Sequence, residues 1–506
     1  MTIEDSREGR LARSSLWNLL GQAVPLAAAV VAIPFLVKGL GTDRFGILTL
    51  AWVIIGYLSI FDLGMGRALT KVVAEELARG SSAELPRLIW TALLLMGLLG
   101  VLATCAMVML SPWLVERVLR IPSHLMLEAI HTFYWLAFCV PIVIITSGLR
   151  GILEASIRFD LANVVRVPTG IMTFVGPLII LPFTTSLVPI VALLVLVRLA
   201  GSVVHLLLCL RVMPSLSQKV VPHWSSVLPL LRLGGWMTVT NVVSPLMVSL
   251  DRFLISAFIS IAAVAYYTTP YEVVTKLLVI PVALAGVLFP AFSASSLRDP
   301  ETTTLLFERG AKSVFCFLFP LLLFLTIYAH ELLALWVGGE FADRSTRVLQ
   351  WLGLGVMANG LATVPFTLVQ ALGRPDLTGK LQIVELPLYL VGITWLVRHW
   401  GIEGAAVGWC LRVTVDGVVL FVFAGRCFPS SCATVRHMTI PILAGMLALG
   451  LAMVLPTLAV KTLFFLIGVP VFATLSWLRL LTHDDRSVVV SWLRSAVHGR
   501  WKDLIA

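Results

Sequence analysis

Apolar runs of about 20 residues, each closed off by charged residues, proline or glycine, follow one another along almost the whole chain. A helix rises 1.5 Å per residue, so a run of that length spans the ~30 Å hydrocarbon core of a bilayer. The pattern predicts about fourteen transmembrane helices, the first centred near Ala27, the seventh near Thr240 and the last near Gly468. Only Pro456 to Lys461 separates the last two, so twelve or thirteen is the alternative count. No polar stretch between the runs is long enough for a folded domain, which leaves the function to the helices. The expected fold is an all-α polytopic membrane protein.

Composition agrees. Of 506 residues, 59% are hydrophobic and 13% charged, with a mean hydropathy of +0.98, against roughly 45–50% and 25% in soluble proteins. That excludes a soluble globular protein. The first apolar run is too long, and too polar at its start, for a cleaved signal peptide, and is expected to be retained.

Lys and Arg number 37 against 27 Asp and Glu, a net charge of +10. With the N-terminus inside, one side collects most of them, among them Arg7, Arg10, Arg13, Arg150, Arg158, Arg374 and Arg426, whereas Lys38, Arg44, Arg117, Arg120 and Arg398 fall outside. This bias predicts an even number of spans and two cytoplasmic termini. No basic stripe interleaved with aromatics is present, so nucleic acid is not an expected partner; membrane lipids and an anionic substrate are. The seven cysteines show neither a disulfide framework nor metal spacing, and there is no nucleotide-binding loop. No metal or organic cofactor is expected. From residue 482 to 506 an amphipathic pattern predicts a cytoplasmic tail lying on the headgroups.

The sequence also repeats itself. Leu153-Glu154-Ala155-Ser156-Ile157-Arg158-Phe159-Asp160-Leu161 is echoed by Val369-Gln370-Ala371-Leu372-Gly373-Arg374-Pro375-Asp376-Leu377, an offset of 216 residues, and a span with an arginine inside it follows each copy, Arg198 and Arg412. Two parallel six-span lobes are implied. The boundaries are a cytoplasmic segment 1–15, an N-terminal lobe 16–212, a cytoplasmic linker 213–231, a C-terminal lobe 232–425, a cytoplasmic loop 426–437, spans thirteen and fourteen over 438–481, and the tail 482–506.

Several motifs occur in a recognisable order: Gly39-Leu40-Gly41 with Phe45-Gly46, Asp62-Leu63-Gly64, Asp251-Arg252-Phe253-Leu254-Ile255, Ala265-Tyr266-Tyr267, Leu288-Phe289-Pro290, and Gly401-Ile402-Glu403-Gly404-Ala405-Ala406. Together they resemble the oligosaccharide flippase (Wzx-like polysaccharide transporter) family of the multidrug/oligosaccharidyl-lipid/polysaccharide exporter superfamily, from about residue 14 to 425. The resemblance implies two pseudo-symmetric lobes around a central cavity. It also implies alternating-access transfer of an isoprenoid-diphosphate-linked oligosaccharide across the bacterial inner membrane, serving lipopolysaccharide or exopolysaccharide synthesis alongside polysaccharide-assembly proteins. The two additional C-terminal spans are similar to those of lipid II flippases, where such a pair goes with a lipid-tail groove, so a peptidoglycan-precursor flippase is one alternative. A cation-coupled multidrug exporter is another, but it needs acidic groups facing the cavity. An enzyme is not expected, because the outer loops near Pro112 to Glu128 and His330 to Arg347 are short.

Ionisable groups inside spans cost several kcal/mol and mark candidate sites. Arg198, Arg252, Lys276 and Arg412 are the candidate substrate-binding cations, since guanidinium and ammonium groups suit a diphosphate. Asp251, Glu272 and Asp416 are candidates for coupling to H+ or Na+. Glu272 and Lys276, like Arg412 and Asp416, are one helical turn apart; either they line a polar cavity or they lock helix rotation. Arg166 and Glu385, near span ends, are expected to snorkel, and His205 to be a packing residue.

Overall fold

The structure, a computed structural model, describes residues 3–58, 65–79, 85–156, 158–217, 247, 249–296, 299–480 and 486. The expected seventh span near Thr240, most of the linker 213–231, Asp62-Leu63-Gly64 and the tail apart from Arg486 lie outside the described residues. Helices account for nearly all of the rest: α1 (Ile3–Tyr57), α2 (Met65–Arg79), α3 (Leu85–Trp113), α4 (Met126–Ala155), α5 (Phe159–Ile180), α6 (Leu187–Val212), α7 (Ile261–Thr275), α8 (Val279–Ser295), α9 (Pro300–Ile327), α10 (Ala329–Trp336), α11 (Gly339–Ala371), α12 (Pro375–Cys427), α13 (Ser431–Ala452) and α14 (Leu458–Leu475).

Among the described residues ten helices are long and apolar enough to cross a membrane. The difference from the expected fourteen has identifiable sources. The 53 residues of α12 would be about 80 Å long if straight, yet the helix is broken at Gly401, where φ is +60°, as α1 is at Gly41, where φ is +76°. Only glycine adopts that backbone freely. Each broken helix counts once among the ten, although its two halves match two predicted runs. The apolar part of α13, Arg436–Ala452, is shorter than a full span. Apolar side chains point outward in numbers no soluble protein shows, including Leu102 at 66%, Met109 at 79% and Val391 at 73% exposed.

Two compact units are present. The first comprises Met1–Thr269 with Gln382–Ala405. Within it α4 packs against α3 and α6, and α5 against α1 and α6. Leu69, Val73, Ile89, Leu149, Ile152 and Cys209 bring α2, α3, α4 and α6 into one buried cluster. At the far end of these helices the Glu128 carboxylate accepts from Arg44 Nε and Nη2 at 3.3 and 3.1 Å, and from the Leu187 backbone N–H at 2.6 Å. One carboxylate thus fastens α1 to α4 and satisfies an N–H of the first turn of α6 that has no partner within the helix.

The second unit comprises Pro270–Leu381 with Ala406–Ala506. Here α9 packs on α8, α11 and α13, and its Phe319 and Phe324 meet Phe472 and Phe465 of α14 at ring separations of 4.4 and 5.7 Å. Lys461 of α14 donates to Glu331 of α10 at 2.8 Å. Trp409, almost fully buried, packs edge-on to Tyr271 at 5.7 Å.

The repeated motif forms the same turn in each unit. The Arg158 N–H donates to the Leu153 carbonyl at 2.9 Å and the Arg374 N–H to the Val369 carbonyl at 3.2 Å. The two arginines have φ/ψ of −103°/55° and −113°/47°, and each guanidinium holds the aspartate two residues on at 3.1 Å.

Candidate functional site

A polar cavity of about 400 Å³ lies inside the first unit. Arg150 of α4, Arg166 of α5, and Arg198 and His205 of α6 line it, with the hydroxyls of Thr146, Ser147, Thr169 and Thr173. The helices deliver these groups because each has small or polar residues on the face that meets its neighbours, so α4, α5 and α6 leave space instead of closing on an apolar seam.

The charge balance is unequal. Arg150 pairs with Glu154 one turn on, at 3.3 Å. Among the described residues no carboxylate oxygen lies within 4 Å of the Arg166 or Arg198 guanidinium. Arg198 is half-buried and donates to the Leu194 carbonyl at 3.4 Å and to Thr173 Oγ1 at 3.5 Å, both beyond the usual 2.7–3.2 Å range for such bonds. A cation held at membrane depth by two weak neutral contacts is stabilised by an anion, and the flat five-donor fork of arginine matches phosphate oxygens. His205 is buried, with Nδ1 3.0 Å from the Gly201 carbonyl.

The other expected site residues are distributed as follows. Asp251 and Arg252, on a helical stretch over residues 249–258 of the first unit, are both buried. Asp251 accepts from the Tyr267 hydroxyl and, at 2.8 Å, from the Arg252 N–H, while Arg252 Nη1 stands 3.9 Å away. Neither lines the arginine cavity. In the second unit Glu272 and Lys276 form the expected one-turn pair at 3.2 Å, partly exposed. Arg412 and Asp416 are half-buried on α12, with Arg412 the basic group beside the Asp416 carboxylate. Of the four expected cations, the cavity therefore contains Arg198.

The expectation for Arg166 requires correction: it lines the same cavity as Arg198. Arg150, read from sequence as an ordinary inner-side charge, joins them. Arg150 and Arg166 flank the Arg158-Phe159-Asp160 turn at nearly equal distances along the chain, which was the available signal that two helices running antiparallel from that turn would bring them together.

Residues 11–296 match the family described as "Polysaccharide biosynthesis protein", more than half of the chain. The chain belongs to this family. A protein of Shigella flexneri named "Putative O-antigen transporter" is 29% identical over 409 residues, 81% of this chain and 96% of that one. The "Lipopolysaccharide biosynthesis protein WzxC" of Escherichia coli is 24% identical over 415 residues, covering 80% and 79% of the two chains. The "Probable low-salt glycan biosynthesis flippase" of Haloferax volcanii is 23% identical, covering 81% and 82%. Among solved structures, the inward-facing conformation of a multidrug resistance MATE family transporter of the MOP superfamily superposes with a TM-score of 0.68 at 15% identity, over 82% of this chain and 99% of that one. The outward-facing conformation of a MATE family transporter gives 0.60 at 16% identity, over 84% and 96%. This member of the polysaccharide biosynthesis family therefore has a MATE-type fold.

Proposed function

We propose that this protein is a flippase that carries an isoprenoid-diphosphate-linked oligosaccharide across the bacterial inner membrane by alternating access, for cell-surface polysaccharide synthesis. The observation that carries the proposal is the arginine cavity, where among the described residues no carboxylate lies within 4 Å of Arg166 or Arg198, in a family with relatives named as an O-antigen transporter and a glycan biosynthesis flippase. A diphosphate headgroup supplies the missing negative charge, and the threonine and serine hydroxyls beside it suit the first sugar. With both termini cytoplasmic, Arg150 and Arg166 lie at the inner end of the cavity and Arg198 deeper, so the headgroup meets a graded row of cations on its way in. The hydrocarbon chain has a separate place in the second unit: an apolar cavity of about 1020 Å³ between α9, α13 and α14, lined by Phe315, Phe319, Phe464 and Phe472, with Arg436 and His437 among its wall residues.

This charge pattern favours an anionic lipid-linked substrate over the cationic compounds of a multidrug exporter. Asp251, Glu272 and Asp416 are proposed to couple transport to H+ or Na+, and polysaccharide-assembly proteins to receive the product. Cells lacking the protein should accumulate a lipid-linked oligosaccharide on the inner leaflet. Drug hypersensitivity without such an intermediate would overturn the reading. Transport in vesicles that is indifferent to imposed pH and sodium gradients would remove the ion coupling.

A further inference from the structure

A second pair of arginines meets in a place that the reading above does not use. Arg120, following the turn Leu114–Val118, and Arg398, near the end of the first half of α12, line one cavity of about 650 Å³ with Phe258, Ile259, Val397 and Gly401, all within the first unit. The Arg120 backbone and the Arg398 side chain are both held at this cavity. The Arg120 backbone N–H donates to the Ser256 carbonyl at 3.1 Å, tying its strand of chain to the end of the helical stretch 249–258. The Arg398 guanidinium lies 4.4 Å above the Phe258 ring, a cation–π contact that fixes its position without adding a negative charge. Glu116 and Glu403 are exposed nearby in sequence, yet among the described residues no carboxylate oxygen is within 4 Å of either guanidinium.

Depth distinguishes what the pair can take. Trp395, His399 and Trp400 lie within a turn of Arg398 along α12, the tryptophans 54% and 56% exposed, with ring separations of 4.7 Å from Trp395 to His399 and 6.2 Å from Trp395 to Trp400. Exposed tryptophans at the end of an apolar run mark the headgroup level of the bilayer. Arg398 shares that turn, so its charge sits where lipid phosphates are, on the side that the distribution of basic residues assigns to the exterior.

We propose that Arg120 and Arg398 form a binding site for the phosphate-bearing headgroup of a membrane lipid at the outer membrane surface. The two guanidinium forks bind the phosphate oxygens, and the space over Gly401 accommodates the headgroup. The lipid is either an anionic phospholipid of the bilayer or the phosphorylated isoprenoid carrier; both present the same chemistry. The site does not depend on the arginine cavity.

The test is native mass spectrometry of the full chain purified in detergent, titrated separately with phosphatidylglycerol, undecaprenyl phosphate and phosphatidylcholine. In the R120Q/R398Q variant, binding of at least one phosphate-bearing anionic lipid should fall about tenfold or more, the effect of losing charge-assisted hydrogen bonds, with phosphatidylcholine unchanged. Loss for undecaprenyl phosphate alone identifies the carrier as occupant, loss for phosphatidylglycerol alone the bulk lipid, and loss for both a shared headgroup site. Unchanged binding of both anionic lipids, or an equal loss of phosphatidylcholine, overturns the proposal. Both arginines are exposed, so the variant should melt as the parent does. F258L, which removes the stacking under Arg398 but keeps both charges, should give an intermediate loss. Added to R198Q, the R120Q/R398Q pair should lower binding by the same factor as it does in the parent, which separates failure of this site from failure of the flippase reading.

Discussion

The cavity of the first unit and the cavity of the second differ in almost every physical property. The first is small, carries three guanidiniums and four hydroxyls, and among the described residues has one carboxylate, Glu154, paired with any of the three guanidiniums. The second is more than twice as large and is walled by phenylalanine, leucine and alanine, with charge confined to Arg436 and His437. Between them they offer the two environments that a lipid-linked sugar diphosphate requires, one that compensates charge and one that receives hydrocarbon. A transporter for a water-soluble anion needs only the first. The pairing of both in one chain argues for an amphiphilic substrate more strongly than either alone.

Perturbing each cavity separately tests that division. The largest effect is expected for Arg198→Gln. Charge-assisted hydrogen bonds contribute about 1.5–3 kcal/mol, so transport of the lipid-linked substrate in reconstituted vesicles should fall roughly 10- to 150-fold with unchanged expression. Arg198→Lys, which keeps the charge but loses the fork, should recover part of it. Normal flipping in Arg198→Gln would remove this residue from the mechanism. Next is Gly468→Phe in the second cavity, where an added Cβ meets nothing closer than Leu323 at 3.7 Å. Displacing one or two methylenes of an isoprenoid at about 0.8 kcal/mol each should slow transport about 4- to 15-fold. It should leave inorganic phosphate binding at the arginine cavity untouched; if phosphate binding falls equally, the two cavities do not divide the labour.

A smaller effect is expected at the brace that fixes α14. Burial works to raise the Glu331 carboxyl, but the Lys461 ammonium 2.8 Å away outweighs it and holds the group below the usual glutamate range. A carboxylate with a depressed folded-state pKa contributes stability above its unfolded value, about 4.3, and loses that contribution as the pH falls below it. Glu331→Gln should therefore lower the melting temperature at pH 7 by an amount corresponding to at most about 1 kcal/mol, and the difference from the parent should shrink in acid below about pH 4. A difference constant down to pH 3 would contradict the assignment. Least affected should be Arg374→Ala, whose exposed pair with Asp376 is well screened. Thermal melts indistinguishable from the parent are expected, while a large loss would show that the repeated turn depends on the ion pair and not on its backbone bonds.

The sequence made some of this legible and hid the rest for definable reasons. Lipid-facing runs could be read because apolar side chains such as Leu102 and Val391 have no other suitable solvent. The Glu272–Lys276 contact follows from helical periodicity alone, and the Arg158 and Arg374 turns from a nine-residue echo. In contrast, the clasp of Glu128 joins residues 84 and 59 positions apart, and nothing local announces it. Arg166 near the start of α5 looks like any residue able to reach the headgroups; only the packing of α4, α5 and α6 turns it, with Arg150, toward Arg198. Arg252 was legible as a cation inside a span with Asp251 beside it in the chain, but its place away from the arginine cavity was set by tertiary structure. Gly41 and Gly401 were visible as glycines, whereas their positive φ, and with it the number of separate helices, was not.

The Arg-x-Asp turn is closed by bonds that reach no further than five residues along the chain. Each copy can thus take shape as soon as it leaves the ribosome, before any distant partner has been made. The second half of the polypeptide carries its own instruction for reversing direction at the membrane and need not copy it from the first. A gene that doubled by accident would have inherited a self-contained turn with every duplicate.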